Sequence, residues 1–492
     1  MLTYTVQDAI DTTAGLRPGS CAFLNMGIDV SYGQLASDVL HASRFVMSQG
    51  LTPGKRAAIM MPPSYLHVVL ILALDRLGVA SVSQNMNKDM MSQPWIQALD
   101  LDCVFASDTK PESTDIAWIE LEAGAQPRTL PIPPELAEAD VPTDREPTRI
   151  TRLVFSSGTT GNPKAVPLSR EIAMKRIIAH HLFCEGAGSN RYLLGMPFST
   201  IAGYGWLLMV LCRGATAIPC PNPRGIVRFI DAYQISHLLL TPILFQNVIE
   251  IGHRSGRDFT SVCVTTTGGA PFDVRLAYRA RAVLGSTIWN GYTSTEAGSI
   301  ARGHISQLEG DPNMIGIVLP FVTLEIVDDD DKPLPRGETG IVRIASELAV
   351  SAYDNGEDEG RVFRDGFVYS GDLGSLDEQG RLRILGRVDE LINLRGIKTP
   401  PEEIERPMTT LQGVREVAVF QADLGQGLQV CAAVVLTNEQ TAEELSKKVQ
   451  ELLGHRAPQR IRIVPELPRN AMGKIMRRDL ADQFVADMKS QE

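Results

Sequence analysis

A chain of 492 residues is too long for one compact core, so two or more domains are expected. With 44% hydrophobic and 21% charged residues it has the composition of an ordinary folded protein. The formal charge of −11, from 47 basic and 58 acidic side chains, argues against a nucleic-acid partner.

The opening MLTYTVQDAIDTTAG lacks the basic stretch and apolar run of a secretory leader. The two most apolar windows, HVVLILAL and GWLLMVLC, are stopped by Asp75–Arg76 and by Arg213. Both fall short of the roughly 18 uncharged residues that a membrane span needs, so a cytoplasmic protein is expected. Seven cysteines without a C-x-x-C pair suggest neither a disulfide framework nor a zinc cage. His180, His181 and Cys184 read as residues of a half-buried helix.

Up to about residue 125 the chain alternates helical and strand-like runs. ASDVLHASRFVMSQG and SYLHVVLILALDRLG predict helices ending at Gly50 and Gly78, and KRAAIMM and ASVSQN predict strands. This spacing suggests a mainly parallel α/β sheet. The stretch 126–149 is proline-rich and polar, a surface connection without a core of its own. ITRLVFSS predicts a strand leading into the loop SSGTTGNPK, followed by strand AVPLS and helix REIAMKRIIAHHLF. SVCVTTTGGAP and STIWNGYTSTEAG read as strand ends opening onto a crevice. From about 315 the pattern is all-β, with Asp328–Asp331 in a solvated turn, since Pro333 stands where a calcium loop needs glycine. Beyond GRVDELINLRGIK a small α+β unit is expected, with a domain boundary near 386–389.

The chemistry gathers in four stretches. SSGTTGNPK, residues 156–164, offers hydroxyls, bare N–H groups and Lys164, a set suited to phosphate. It fails the Walker pattern because Pro163 replaces glycine. In NGYTSTEAG, Tyr292 offers a flat face for a base and Glu296 a ligand for a hard cation such as Mg²⁺. Asp372 of YSGDLG can accept from both hydroxyls of a ribose. Lys474 of PRNAMGKIMRRDL can bring positive charge to a developing anion.

Together these stretches resemble the adenylate-forming (AMP-binding) enzymes: acyl- and aryl-CoA synthetases, stand-alone adenylation enzymes and luciferases. SSGTTGNPK is similar to the family's T-S-G-[TS]-[TS]-G-x-P-K loop, GYTSTE to Y-G-x-T-E, and YSGD to Y-x-T-G-D. GRVDELINLRGIKTPPEEIE resembles the hinge and thiol-tunnel segment, and PRNAMGKIMRRDL the C-terminal lysine motif. The likeness runs from VSYGQLA near residue 31 to about 480.

The resemblance implies an α/β fold. A large N-terminal domain (1–388) of stacked α/β sheets with a β-barrel-like subdomain would precede a small mobile α+β domain (389–492). It implies two steps: a carboxylate and ATP give an acyl-adenylate and pyrophosphate, then a thiol displaces AMP. Ser157, Thr159, Thr160 and Lys164 would bind the β- and γ-phosphates, and Thr295 the α-phosphate. Tyr292 would stack on adenine opposite Gly268, Gly269 and Ala270, and Glu296 would hold Mg²⁺. Asp372 and Arg387 would take the ribose, and Lys474 would bridge carboxylate and α-phosphate. Asp389 would be the hinge, and Gly396 would line the tunnel for coenzyme A or a carrier-protein phosphopantetheine. Thr200, Gly203 and Thr293 fall at the acyl pocket.

Three residues depart from the family pattern. Thr293 follows the stacking tyrosine where glycine is usual, and Ala165 replaces the glycine after the lysine. Thr200 stands where many relatives carry a gating histidine. PFSTIAGYGWLLM has no acid to pair with an α-ammonium, which favours a fatty, aryl or other carboxylic acid over an amino acid. The leading expectation is an AMP-forming acyl-CoA synthetase, and the second an adenylation enzyme loading an acyl carrier protein. An adenylate used for ester, lactone or oxidative chemistry and a silent nucleotide-binding protein are further readings.

Overall fold

The run HVVLILAL forms helix Tyr65–Arg76, capped by Ser64, whose hydroxyl accepts the His67 N–H at 3.2 Å. Every residue from Tyr65 to Asp75 is buried, as expected of a helix apolar all round. Gly78 ends it at φ +70°, and a Cβ there would lie 2.3 Å from Asp144 Oδ2, so only glycine fits. A computed structural model describes the chain except residues 1–3, 26, 84–90, 92, 113, 157–162, 184–189, 221, 271, 273, 309, 357–359, 395–396, 426, 470–472 and 490–492. The fold is mixed α/β, with a large sheet-rich N-terminal part and a smaller C-terminal domain. The chain divides into one unit of residues 1–312, 318–323 and 344–368 and another of 313–317, 324–343 and 369–492.

The first unit holds a six-stranded sheet in the order Ala117–Glu120, Cys103–Ala106, Arg56–Met60, Ala80–Ser83, Ile150–Ser156, Lys164–Ser169. All its pairs are parallel except the last, where Ile150–Ser156 and Lys164–Ser169 run antiparallel on either side of the phosphate-loop sequence. Eight further strands of the unit run in the order Ile28–Ser31, Cys21–Asn25, Thr216–Pro219, Arg191–Leu194, His237–Leu240, Val264–Gly268, Thr287–Ser294, Gly298–His304. Their central pairs are parallel and the outermost two antiparallel. Helices Tyr32–Ser48, Tyr65–Arg76 and Ile201–Cys212 contribute to one continuous core.

The proline-rich stretch 126–149 is not a loose linker. Leu130 is buried, its carbonyl meets His41 Nε2 at 3.0 Å, and Arg44 Nε donates to the Ala139 carbonyl at 3.0 Å.

In the second unit, Val414–Asp423, Leu428–Leu436 and Arg460–Ile463 form a three-stranded sheet buried on both faces. Val417 and Val419 pack with helices Glu402–Met408 and Ala442–Leu453, while Ala418 and Phe420 pack with helix Arg477–Lys489. That alternation follows from the two-residue period of a strand. The acidic turn is closed by its own carboxylate: Asp328 Oδ1 accepts the N–H groups of Asp330 and Lys332, each at 2.9 Å.

Candidate active site

Lys164 opens strand Lys164–Ser169 and is 7% exposed. Its Nζ lies 5.3 Å from the centroid of the Tyr353 ring, within cation–π range. The Tyr353 hydroxyl donates to Glu296 Oε1 at 2.9 Å. Burial, then the Glu296 charge, raises the tyrosine pKa above its ordinary value, so it stays a donor. Asp354 fixes the segment: its N–H donates to the Ala165 carbonyl at 2.9 Å, and its carboxylate takes Arg56 at 2.6 and 3.0 Å. The Ala165 main chain thus supplies an acceptor that keeps Tyr353 beside Lys164.

Behind Glu296 lies Arg176, 5% exposed, on helix Arg170–Phe183. Its nitrogens donate to the carbonyls of Leu348 (2.8 Å), Thr295 (3.0 Å) and Glu296 (3.0 Å). The Glu296 carboxylate is a hard oxygen donor of the kind Mg²⁺ takes alongside substrate phosphates. Among the described residues no group of three or more His, Cys, Asp or Glu side chains forms a self-contained metal cage. The donor set fits a cation shared with a polyphosphate.

Gly268 ends strand Val264–Gly268, paired with Gly291. A Cβ on Gly268 would meet the Gly291 carbonyl at 2.6 Å, so the strands close to main-chain contact. Gly269 follows at φ +85°, beside Ala270. The pairing register shifts between Tyr292 and Thr293, a bulge that re-aims the side chains. Tyr292 is half-buried and Thr293 exposed.

Thr200 is the N-cap of helix Ile201–Cys212: its hydroxyl accepts the Gly203 N–H at 3.1 Å and donates to the Pro197 carbonyl at 2.8 Å. A Cβ on Gly203 would lie 2.2 Å from the Pro197 carbonyl oxygen. Both residues therefore fix the turn that starts this helix.

In the second unit Asp372 pairs with Arg387 across antiparallel strands, Oδ1 to Nη1 at 3.5 Å. Arg387 also donates to the Ser370 carbonyl (2.7 Å) and Asp389 Oδ1 (3.0 Å). Burial opposes its charge, but Asp372, Asp389 and Glu390 outweigh that and raise its pKa. Lys474 Nζ lies 3.3 Å from Glu390 Oε1, and Arg477 Nη1 takes Glu390 Oε2 at 2.7 Å. Arg477 further binds Glu405 (2.8 Å) and Glu402 (3.4 Å) and donates to the Val419 carbonyl at 3.1 Å. Burial pushes the Glu402 carboxyl up to about 7, against the pull of Arg477, and its Oε2 has no hydrogen-bond partner among the described residues.

The structure thus brings Lys164 and Glu296 to one tyrosine, Asp372 and Arg387 to one strand pair, and Lys474 to the turn after Asp389. Ser157, Thr159, Thr160 and Gly396 lie outside the described residues. Sequence reasoning missed Tyr353, Arg176 and Glu390. The only signal was Glu390, adjacent to the expected hinge; SAYDN and AMKRI look like ordinary loop and helix.

Residues 10–353 match the family model described as AMP-binding enzyme, and residues 403–474 match the AMP-binding enzyme C-terminal domain. The chain belongs to the adenylate-forming, AMP-binding enzyme family. It is 26% identical over 525 aligned residues to the fatty acid–[acyl-carrier-protein] ligase ScoC of Streptomyces coeruleorubidus, covering 98% of this chain and 97% of that one. A 4-chlorobenzoate–CoA ligase of Arthrobacter is 24% identical over 511 residues, covering 99% and 97%. Among solved structures, the amide bond synthetase McbA of Marinactinospora thermotolerans matches with TM-score 0.80 at 22% identity, over 97% and 99% of the two chains. No helix among the described residues of this family member is long and apolar enough to cross a membrane.

Two outcomes are expected. Gly203→Ala forces a side chain into the Pro197 carbonyl and costs about 3 kcal/mol, read as a lowered denaturation midpoint. Glu402 has a folded pKa above its ordinary 4.5, so it holds a proton in the folded chain that the unfolded chain has released. Its contribution is favourable below about pH 4.5 and is lost as pH rises through about 7. Glu402→Gln therefore raises the thermal midpoint relative to wild type by a few degrees more at pH 8 than at pH 5; equal differences would contradict this assignment.

Proposed function

We propose that this protein is an AMP-forming acyl-CoA synthetase acting on a small carboxylic acid. The observation that carries the reading is the shared tyrosine: Tyr353 meets Lys164 with its ring and Glu296 with its hydroxyl. A cation and a metal-binding carboxylate on one rigid support suit a metal-bound triphosphate. The metal, Mg²⁺, would supply charge neutralisation between phosphate oxygens.

In the first step a substrate carboxylate oxygen bonds to the α-phosphorus of ATP, and the bond to the bridging oxygen breaks. Its electron pair leaves on pyrophosphate. Lys164, with Ser157, Thr159 and Thr160, would hold that leaving group, and Thr295 would touch the α-phosphate. Tyr292 would stack on adenine against Gly268, Gly269 and Ala270, and Asp372 with Arg387 would bind the ribose hydroxyls. Lys474 would leave Glu390 to bridge the carboxylate and the α-phosphate, stabilising charge that builds in the transition state.

In the second step a thiolate attacks the acyl carbon and AMP departs. For this, segment 389–492 would rotate about Asp389, and Gly396 would pass the pantetheine arm. Thr200, Gly203 and Thr293 would border the acyl pocket. The basic tail RNAMGKIMRRD suits a phosphorylated thiol. The likeness to ScoC favours a second reading, transfer to a carrier-protein phosphopantetheine.

Pyrophosphate release across fatty, aryl and dicarboxylic acids, with coenzyme A, a holo carrier protein or an amine as acceptor, tests the reading. Acid-dependent release with thioester formation on free coenzyme A is expected; thioester on the carrier alone selects the second reading, and amide product rejects both. Lys474→Ala is expected to lose pyrophosphate release by more than about 100-fold. It should still form thioester from supplied acyl-adenylate, and equal loss of both steps would sink the two-state role of this lysine.

A further inference from the structure

Arg176 is a buried guanidinium that meets no carboxylate among the described residues; its three acceptors are main-chain carbonyls. Burial lowers its pKa to about 10, and the Glu296 charge partly opposes that. Keeping such a charge in a core is expensive unless its hydrogen bonds do something an apolar side chain cannot.

Two chain segments meet on this one side chain. Thr295 and Glu296 lie in the turn between strands Thr287–Ser294 and Gly298–His304, and Leu348 lies in the loop that leads to Tyr353. The Val350 N–H closes the same junction, donating to the Glu296 carbonyl at 2.9 Å. Gly298 leaves room for the guanidinium: at φ +77°, a Cβ there would stand 3.2 Å from Arg176 Nε and from Leu348 Cβ. The arginine therefore locks the segment bearing the carboxylate to the segment bearing its tyrosine partner.

We infer that Arg176 is a positioning residue for the metal-phosphate site, holding the Glu296 main chain so that its carboxylate stays paired with Tyr353 and turned to a bound cation. A planar fork is needed for this, because three carbonyls converge from different directions. The inference rests on the reading of Glu296 as a cation ligand.

The test measures ATP binding by calorimetry with and without Mg²⁺, for wild type, Glu296→Gln, Arg176→Lys and Arg176→Met, with thermal melts for each. In wild type Mg²⁺ tightens ATP binding, and Glu296→Gln removes that tightening; if wild type shows none, the reading of Glu296 falls and the inference with it. Given that linkage, Arg176→Met weakens the apparent Mg²⁺ affinity by about 10–100-fold, as loss of a ligand-orienting group does. Binding of metal-free ATP stays at the wild-type value. Arg176→Lys keeps the buried charge without the fork and gives an intermediate loss; it carries the test if Arg176→Met does not fold. Unchanged Mg²⁺ dependence in a folded Arg176 variant overturns the inference while leaving Glu296 as ligand.

Discussion

The hydrogen bond from Tyr353 to Glu296 is the constraint on which the first unit's candidate site depends. It holds a carboxylate at 2.9 Å from a phenol whose ring also meets Lys164 at 5.3 Å. Opposite charges this close tend to collapse on each other unless something rigid stands between them. A tyrosine does so because its face attracts a cation while its hydroxyl donates to an anion. The ring is fixed in turn by the Arg56–Asp354 pair and by the edge of strand Lys164–Ser169.

A second theme is the use of buried arginines as main-chain clamps. Arg152, fully buried on the strand before the phosphate loop, donates to Ser81 Oγ at 3.1 Å and to the Phe198 carbonyl, and lies 4.7 Å from the Tyr204 ring. It therefore ties the base of that strand to the PFSTIAG segment, much as Arg176 ties Glu296 to the loop of Leu348. Neither makes an ion pair among the described residues, and each has acceptors from segments far apart in sequence.

Much of the architecture was legible because its determinants are local. Gly78 ends a helix, prolines mark the 126–149 connection, and the pattern read as all-β from about 315 becomes successive strands up to Arg381–Arg387. The ordered motifs named the family, since each carries small residues and charged side chains at a fixed spacing. Legibility ended where a role depends on remote partners. Arg176 sits in a helix where basic residues usually face solvent, and nothing nearby shows that carbonyls 119 to 172 positions away converge on it. Thr200 shows another limit: the motif places it where many relatives carry a gating histidine, but does not reveal that its hydroxyl caps helix Ile201–Cys212.

The pairing of Lys474 with Glu390 has a consequence for how readily that lysine can move. Its side chain keeps 27% of its exposure, while Arg477, on the other oxygen of the same carboxylate, keeps 11%. A part-exposed ammonium pair of this kind is worth about 0–1 kcal/mol and is screened by salt. When the lysine departs, Glu390 still has Arg477, so no buried charge is abandoned. That one contact is weak by construction. Ionic strength would thus tune the lysine's pairing with Glu390, whereas the arginine beneath keeps the carboxylate paired.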